Sequence, residues 1–218
     1  MQKNTKIGWT LIILIVATAS LFYLSVRLNT PPPLEEILTR NQKNTNDATP
    51  AALSPSVTIA DPQLGPSNAK ITIVEFADFN CSHCVAVNDQ IKAIAQKFPQ
   101  DVKIVWKDFP FLPPLDITWQ AHMASRCAGK QNKFWEYHDL IFANQNNLNA
   151  AQFISFAQKL NLDITSFETC LSNEETRPLV QKAYDEGKAL GIEGTPFFYV
   201  NGKVFSGELN VAAIQELL

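Results

Sequence analysis

Ile71-Thr72-Ile73-Val74-Glu75-Phe76 runs almost without a polar break towards Cys81-Ser82-His83-Cys84. Beyond it the apolar residues Val87, Ile91, Ile94 and Phe98 recur at three- and four-residue steps. A short apolar, β-branched run followed by helical spacing predicts a buried strand feeding a helix. Pro99 ends that helix, and Val102-Lys103-Ile104-Val105-Trp106 predicts a second strand. Strand, helix and strand of these lengths make a βαβ unit with parallel strands. The two cysteines fall at the first turn of its helix. There, unpaired backbone N–H groups and the positive end of the helix dipole favour thiolate over thiol. The thiolate is the reactive form, so the unit points to a protein that exchanges disulfides.

The other features bound where and how. The chain has 218 residues and a net charge of -3, with a pI near 5.6. That is room for one ordinary domain plus attachments. No basic block is present, which argues against nucleic acid as a partner. Four cysteines, Cys81, Cys84, Cys127 and Cys170, fit two pairs in an oxidising compartment. Lys3 and Lys6 precede an apolar stretch from Ile7 to Leu28, and a bilayer span needs roughly 20 such residues. Residues 1–29 therefore read as an N-terminal signal anchor, a transmembrane helix with its N-terminus inside. Ala17-Thr18-Ala19 offers the competing reading of a cleaved signal peptide. Leu21-Phe22-Tyr23-Leu24 continues the apolar run beyond that site and favours the anchor. Either reading exports the remainder. Residues 30–56, rich in Pro, Asn, Thr and Ser, read as a flexible tether. Within it Leu34-Glu35-Glu36-Ile37-Leu38 is a candidate helical turn or self-association patch.

A folded domain is expected over 57–218. Its middle, about 113–191, shows helical signals and no strand: Asp116 to Ala128, Lys133 to Asn144, a capping-box pattern at Asn149 to Gln152, another at Thr165 to Glu168, and a longer helix from Thr176 to Leu190 ending at Gly191. Phe197-Phe198-Tyr199-Val200 and Lys203-Val204-Phe205 then flank Asn201-Gly202, a strong hairpin signal. Asn210 caps a short final helix. Strand, helix, strand, helical insertion, hairpin, helix is the order of an α/β thioredoxin fold interrupted by a helical subdomain.

Glu75-Phe76-Ala77-Asp78-Phe79-Asn80-Cys81-Ser82-His83-Cys84, with Gly194-Thr195-Pro196-Phe197-Phe198-Tyr199-Val200-Asn201-Gly202 far downstream, resembles the DsbA family of thiol–disulfide oxidoreductases, including its membrane-tethered members. The resemblance covers the whole of 57–218. It implies a Cys81–Cys84 redox pair with Cys81 as the nucleophile, His83 stabilising the Cys81 thiolate, and a cis Pro196 facing the sulfurs. It also implies that Thr195 pairs with an extended substrate, and that Glu75 in the buried strand exchanges a proton with Cys84. No dissociable cofactor is implied, because the cysteine pair holds the electrons. The implied partners are exported proteins or peptides bearing cysteines and a DsbB-like membrane reoxidant. The implied place is the extracytoplasmic, periplasmic face of a bacterial inner membrane, with a single-pass anchor. Monomer and dimer both stay open.

Ser82 stands where the family usually has Pro, and Thr195 where the best-known oxidases have Val. Both departures keep a disulfide isomerase or reductase open beside the oxidase. A Cys/His metal-handling protein using Cys81, His83 and Cys84 is the alternative from another class. For Glu75 a strand-end residue reaching solvent is the competing reading, and Lys107 is a candidate counter-charge to it. Cys127 and Cys170 both fall in the insertion and read as a structural disulfide joining two of its helices. Phe134, Trp135, Tyr137, Phe142, Phe153 and Phe156 read as insertion core, and His122 and His138 as isolated structural or exposed residues.

Overall fold

The computed structural model describes residues 20, 21, 23, 24, 54–111 and 117–218. The chain divides into two compact units, Met1–Ala51 and Ala52–Leu218. In the first, residues 20, 21, 23 and 24 are helical and exposed. The anchor expected over 1–29 and the tether expected over 30–56 fall mostly outside the described residues, as do 113–116 at the start of the insertion. Among the described residues no helix is long and apolar enough to cross a membrane.

In the second unit a five-stranded sheet carries β1 (Gln63–Leu64), β2 (Ile71–Ala77), β3 (Val102–Asp108), β4 (Phe197–Val200) and β5 (Lys203–Val204), in the spatial order β1-β3-β2-β4-β5. β2 and β3 are parallel, and every other pairing is antiparallel. The connection between β2 and β3 is helix α1 (Ser82–Lys97), as the apolar runs predicted. β2 is central and buried on both faces, which is why it reads as a nearly continuous apolar run. The edge strand β1 was not foreseen, since two exposed residues carry no periodicity.

Alternation along the strands sorts the core. Ile71 and Ile73 of β2 share a face with Ile104, Phe198 and Val200. They pack with Ile91 and Ile94 of α1 and Ile214 of α7 (Val211–Gln215). Val74 and Phe76 take the opposite face with Val105 and Tyr199. Burying each such side chain contributes roughly 1.5–3 kcal/mol.

Between β3 and β4 lie α2 (Ile117–Gly129), α3 (Phe134–Ala143), a single 3₁₀ turn (Gln145–Asn147), α4 (Ala150–Lys159), α5 (Ile164–Ser172) and α6 (Arg177–Ala189). The first four α-helices enclose an aromatic core of Phe134, Tyr137, Phe142, Phe153, Phe156 and Phe167, with Trp135 packed partly buried at its edge. Cys127 of α2 is bonded to Cys170 of α5, the disulfide expected between insertion helices. Asn149 caps α4 through the Gln152 N–H, as expected. The cap of α5 is Asp163, which accepts from the Ser166 N–H, not the Thr165 box: the helix begins at Ile164, so Thr165 already lies inside its first turn.

The insertion also ends earlier than about 191. α6 packs against β3, and Gly187 lies so close to the sheet layer that a Cβ there would sit 2.5 Å from the Phe109 ring. α6 therefore covers the sheet as part of the thioredoxin layer. The hairpin turn is formed by Asn201 and Gly202, both at positive φ (49° and 76°), the backbone that Asn-Gly adopts at low cost.

Candidate active site

The site is built where β2 ends and α1 begins. Cys81 is the N-cap of α1, and its sulfur accepts the Cys84 N–H at 3.3 Å. A Ser or Asp oxygen commonly fills this place and satisfies an orphan helix donor. Here a half-exposed sulfur does so, and what stabilises the helix end also stabilises negative charge on sulfur. Cys84, one turn in, is wholly buried. Both cysteines are free thiols.

The second wall is the loop before β4. The Thr195–Pro196 bond is cis, as the resemblance implied. In its thiol form Cys81 donates to the Thr195 carbonyl oxygen at 3.2 Å. The two segments, 114 residues apart in sequence, thus meet at one sulfur. Beside them runs a groove of about 420 Å³ lined by His83, Val87, Thr195, Pro196, Phe198 and Phe205 among others. A larger cavity lies beside Cys127 and Cys170, but both sulfurs belong to residues that are buried and disulfide-bonded.

The two thiols are pushed in opposite directions. A hydrogen bond from the Cys84 thiol lowers the Cys81 pKa first. Partial burial opposes it, while the Thr195 side chain, not its carbonyl, and the backbone N–H groups of Cys84 and His83 add to it. The result is a pKa of about 5. Burial foremost, then the hydrogen bond it gives to Cys81, hold Cys84 far above the ordinary thiol range. The surroundings therefore favour a thiolate at Cys81 and a thiol at Cys84.

Glu75 is 3% exposed, so the reading in which it reaches solvent does not hold. It shares a sheet face with Trp106 and Phe198, on the side covered by α1. Burial, and secondarily the Cys81 charge, raise its pKa to about 8. It is close enough to Cys84 to raise that thiol further. Lys107 is not its counter-charge. In the β2–β3 register Lys107 pairs with Phe76, one residue out of phase with Glu75, so its side chain takes the other sheet face. There it is held between Asp61 (3.0 Å) and Glu186 (2.8 Å). His83 is exposed on the first turn of α1 and lines the groove. It acts on Cys81 through its backbone N–H. Among the described residues no group of three or more His, Cys, Asp or Glu side chains is arranged to hold a metal ion.

Two residues at the site were missed from sequence. Asp78 sits in the turn before Cys81, and His122 is buried beneath it, not isolated. The Asp78 carboxylate accepts the Asn80 and Phe111 N–H groups, and its carbonyl accepts the Cys81 N–H. An Asp two residues before a backbone N–H it can cap is a local turn signal. The tie to His122 had none.

A parallel-centred sheet, a helical insertion, a CxxC helix start and a facing cis-proline loop define a thioredoxin-fold thiol site. A sequence model of the family described as thioredoxin matches residues 57–218, and the chain belongs to that family. Its fold is that of the DsbA-type oxidoreductases. It is similar to BdbD from Bacillus subtilis in its oxidised form (25% identity, 76% of this chain and 95% of that one, TM-score 0.65). It is also similar to a thioredoxin-like oxidoreductase from Silicibacter pomeroyi (22%, 78% and 95%, TM-score 0.65) and to α-DsbA1 of Wolbachia pipientis (20%, 74% and 90%, TM-score 0.63). Among curated sequences it resembles the Na(+)/H(+) antiporter NhaA 1 of Salinispora arenicola, 31% identical over 150 residues, which are 69% of this chain and 23% of the antiporter. The NhaA of Herminiimonas arsenicoxydans is 29% identical over 173 residues, 78% of this chain and 27% of that protein. The chain thus spans about a quarter of the length of these relatives.

Proposed function

We propose that the chain is an extracytoplasmic thiol–disulfide oxidoreductase that forms disulfides in exported proteins through Cys81 and Cys84. The observation that carries this reading is the Cys81 sulfur. It caps α1 and accepts the Cys84 N–H at 3.3 Å, which activates it, and it lies 3.2 Å from the Thr195 carbonyl of the cis-proline loop, where an extended substrate strand would pair.

In the oxidised enzyme a substrate thiolate attacks the Cys81 sulfur. The Cys81–Cys84 bond breaks, and Cys84 leaves with the electron pair and takes up a proton, for which Glu75 is the nearby donor. A second substrate thiolate then attacks the substrate sulfur of the mixed disulfide and releases Cys81 as a thiolate. The substrate loses two electrons and two protons. The enzyme keeps both electrons and the proton on Cys84, and the other proton goes to solvent. A low leaving-group pKa at Cys81 speeds the release. Return to the disulfide requires an electron acceptor, for which a DsbB-like membrane protein is the proposed partner. The apolar stretch after Lys3 and Lys6 supports a membrane anchor that holds the domain in the periplasm. Isomerisation or reduction by the same site is the second reading, favoured by Thr195 in place of the Val common in oxidases. In the test, oxidised full-length chain is mixed with a reduced dithiol peptide. The peptide is expected to be oxidised stoichiometrically, and Cys81→Ala is expected to abolish this. Undiminished oxidation by Cys81→Ala would sink the mechanism.

A further inference from the structure

Beneath the active-site turn lies a buried ionic chain that takes no part in the proton and electron transfers between substrate, Cys81, Cys84 and Glu75. His122 of α2 is fully buried. Its Nδ1 is 2.7 Å from Oδ1 of Asp108, at the end of β3, and its Nε2 is 3.4 Å from Oδ1 of Asp78. Arg126, one turn further along α2, holds the other Asp108 oxygen at 2.6 and 2.7 Å. The Trp106 indole donates to Asp108 at 2.7 Å. From α3, His138 approaches the same ring cluster, with its own Nδ1 turned to Asp139. The Phe79 ring covers His122 at 4.7 Å.

The protonation of His122 follows from the donors around it. Asp108 is already accepting from Arg126 and Trp106, and Asp78 from two backbone N–H groups, so both act as carboxylates. An imidazole nitrogen facing a carboxylate must carry a proton. Both nitrogens of His122 face one, at 2.7 and 3.4 Å, so the arrangement favours a buried imidazolium. Two cations, His122 and Arg126, balance two anions, Asp78 and Asp108.

Such a quartet is weak evidence of stability in itself, since desolvation offsets most of the attraction. Its position is what matters. Asp78 shapes the turn that presents the redox pair. Its carbonyl takes the Cys81 N–H at 3.0 Å, and its backbone hydrogen-bonds the Cys84 sulfur. We infer that His122 is a positioning residue for the Cys81–Cys84 reaction: it clamps and neutralises the Asp78 carboxylate, which fixes the active-site turn and lets a thiolate form on Cys81, three residues on in that turn. The inference rests on the thiol–disulfide reading above.

The test compares full-length wild type, His122→Gln and the His122→Gln/Asp78→Asn double variant by ultraviolet titration of the Cys81 thiolate. A glutamine supplies one neutral donor group where the ring supplied two charged ones, which leaves Asp78 an unbalanced anion. In His122→Gln the Cys81 midpoint is expected to rise by about one pH unit. In the double variant, where residue 78 is neutral, it is expected to return towards wild type. A purely structural role would lower the melting temperature without that reversal. An unmoved midpoint in folded His122→Gln, or a shift that Asp78→Asn does not reverse, overturns the inference. If His122→Gln does not fold, nitrogen NMR of the wild-type ring decides. Two protonated ring nitrogens at neutral pH are expected, and a neutral imidazole overturns it. Exchange of the wild-type pair with glutathione is measured in parallel. Its failure would dismiss the thiol–disulfide reading, whereas the titrations bear on His122.

Discussion

At Cys81 burial and hydrogen bonding compete, and hydrogen bonding wins: the Cys84 thiol, Thr195 and two backbone N–H groups bring the pKa to about 5. The folded pKa lies below the unfolded one. Thiolate stabilisation of the reduced protein is therefore complete above the ordinary thiol pKa, about 8.5, and is lost as pH falls to about 5. The rate of Cys81 alkylation should rise with a midpoint near pH 5 and level off by neutrality, with Cys84 unmodified. A midpoint near 8.5 would contradict the geometry. Glu75 runs the other way. Its folded pKa of about 8 against 4.5 means the native state keeps a proton that the unfolded chain releases. Its cost is absent below pH 4.5 and grows until pH 8. Glu75→Gln should therefore stabilise the reduced protein at neutral pH, by on the order of 2–3 kcal/mol, while slowing peptide oxidation. Unfolding in denaturant and stopped-flow oxidation would check both, and lower stability at neutral pH would refute it. Cys81, Cys84, Thr195 and Pro196 were legible because their signals are local. His122 was not, because its partners Asp78 and Asp108 lie 44 and 14 residues away and no spacing links them.

Among the elements, apolar runs and helical spacing disclosed β2, α1 and β3, the Asn201-Gly202 turn disclosed the hairpin, and helical signals with capping patterns disclosed the insertion helices, because each of these signals is local. They did not reveal which layer α6 joins. That assignment depends on one close approach, Gly187 against Phe109 and Phe76, where an added Cβ would lie 2.5 to 3.1 Å from ring carbons. Alanine is the better helix former by about 1 kcal/mol. Yet Gly187→Ala should still lower stability by about 1–3 kcal/mol, since rigid rings must move. A denaturant midpoint equal to or above wild type would show that α6 is not seated on the sheet in this way. The misplaced pairing of Glu75 with Lys107 has the same origin: one residue of strand register puts a side chain on the opposite face, and register between strands cannot be read from either strand alone.

For the whole molecule, the Cys127–Cys170 bond closes 43 residues of the insertion, worth about 4 kcal/mol by loop-closure entropy. It braces α2, the helix that carries His122 and Arg126 to the active-site turn. The fold class was readable because strand, CxxC helix, strand and Gly-Thr-Pro hairpin occur in one order. The charged chain beneath the site was hidden because it exists only once the insertion is docked on the sheet. The direction of electron flow is the central claim. It is tested most directly by the reduction potential of the Cys81–Cys84 pair at equilibrium with glutathione. A thiolate favoured at Cys81 stabilises the reduced pair and makes its disulfide oxidising. The expected potential is above about -230 mV. A potential at or below that, towards the roughly -270 mV of a reductant such as thioredoxin, would contradict the proposed oxidase.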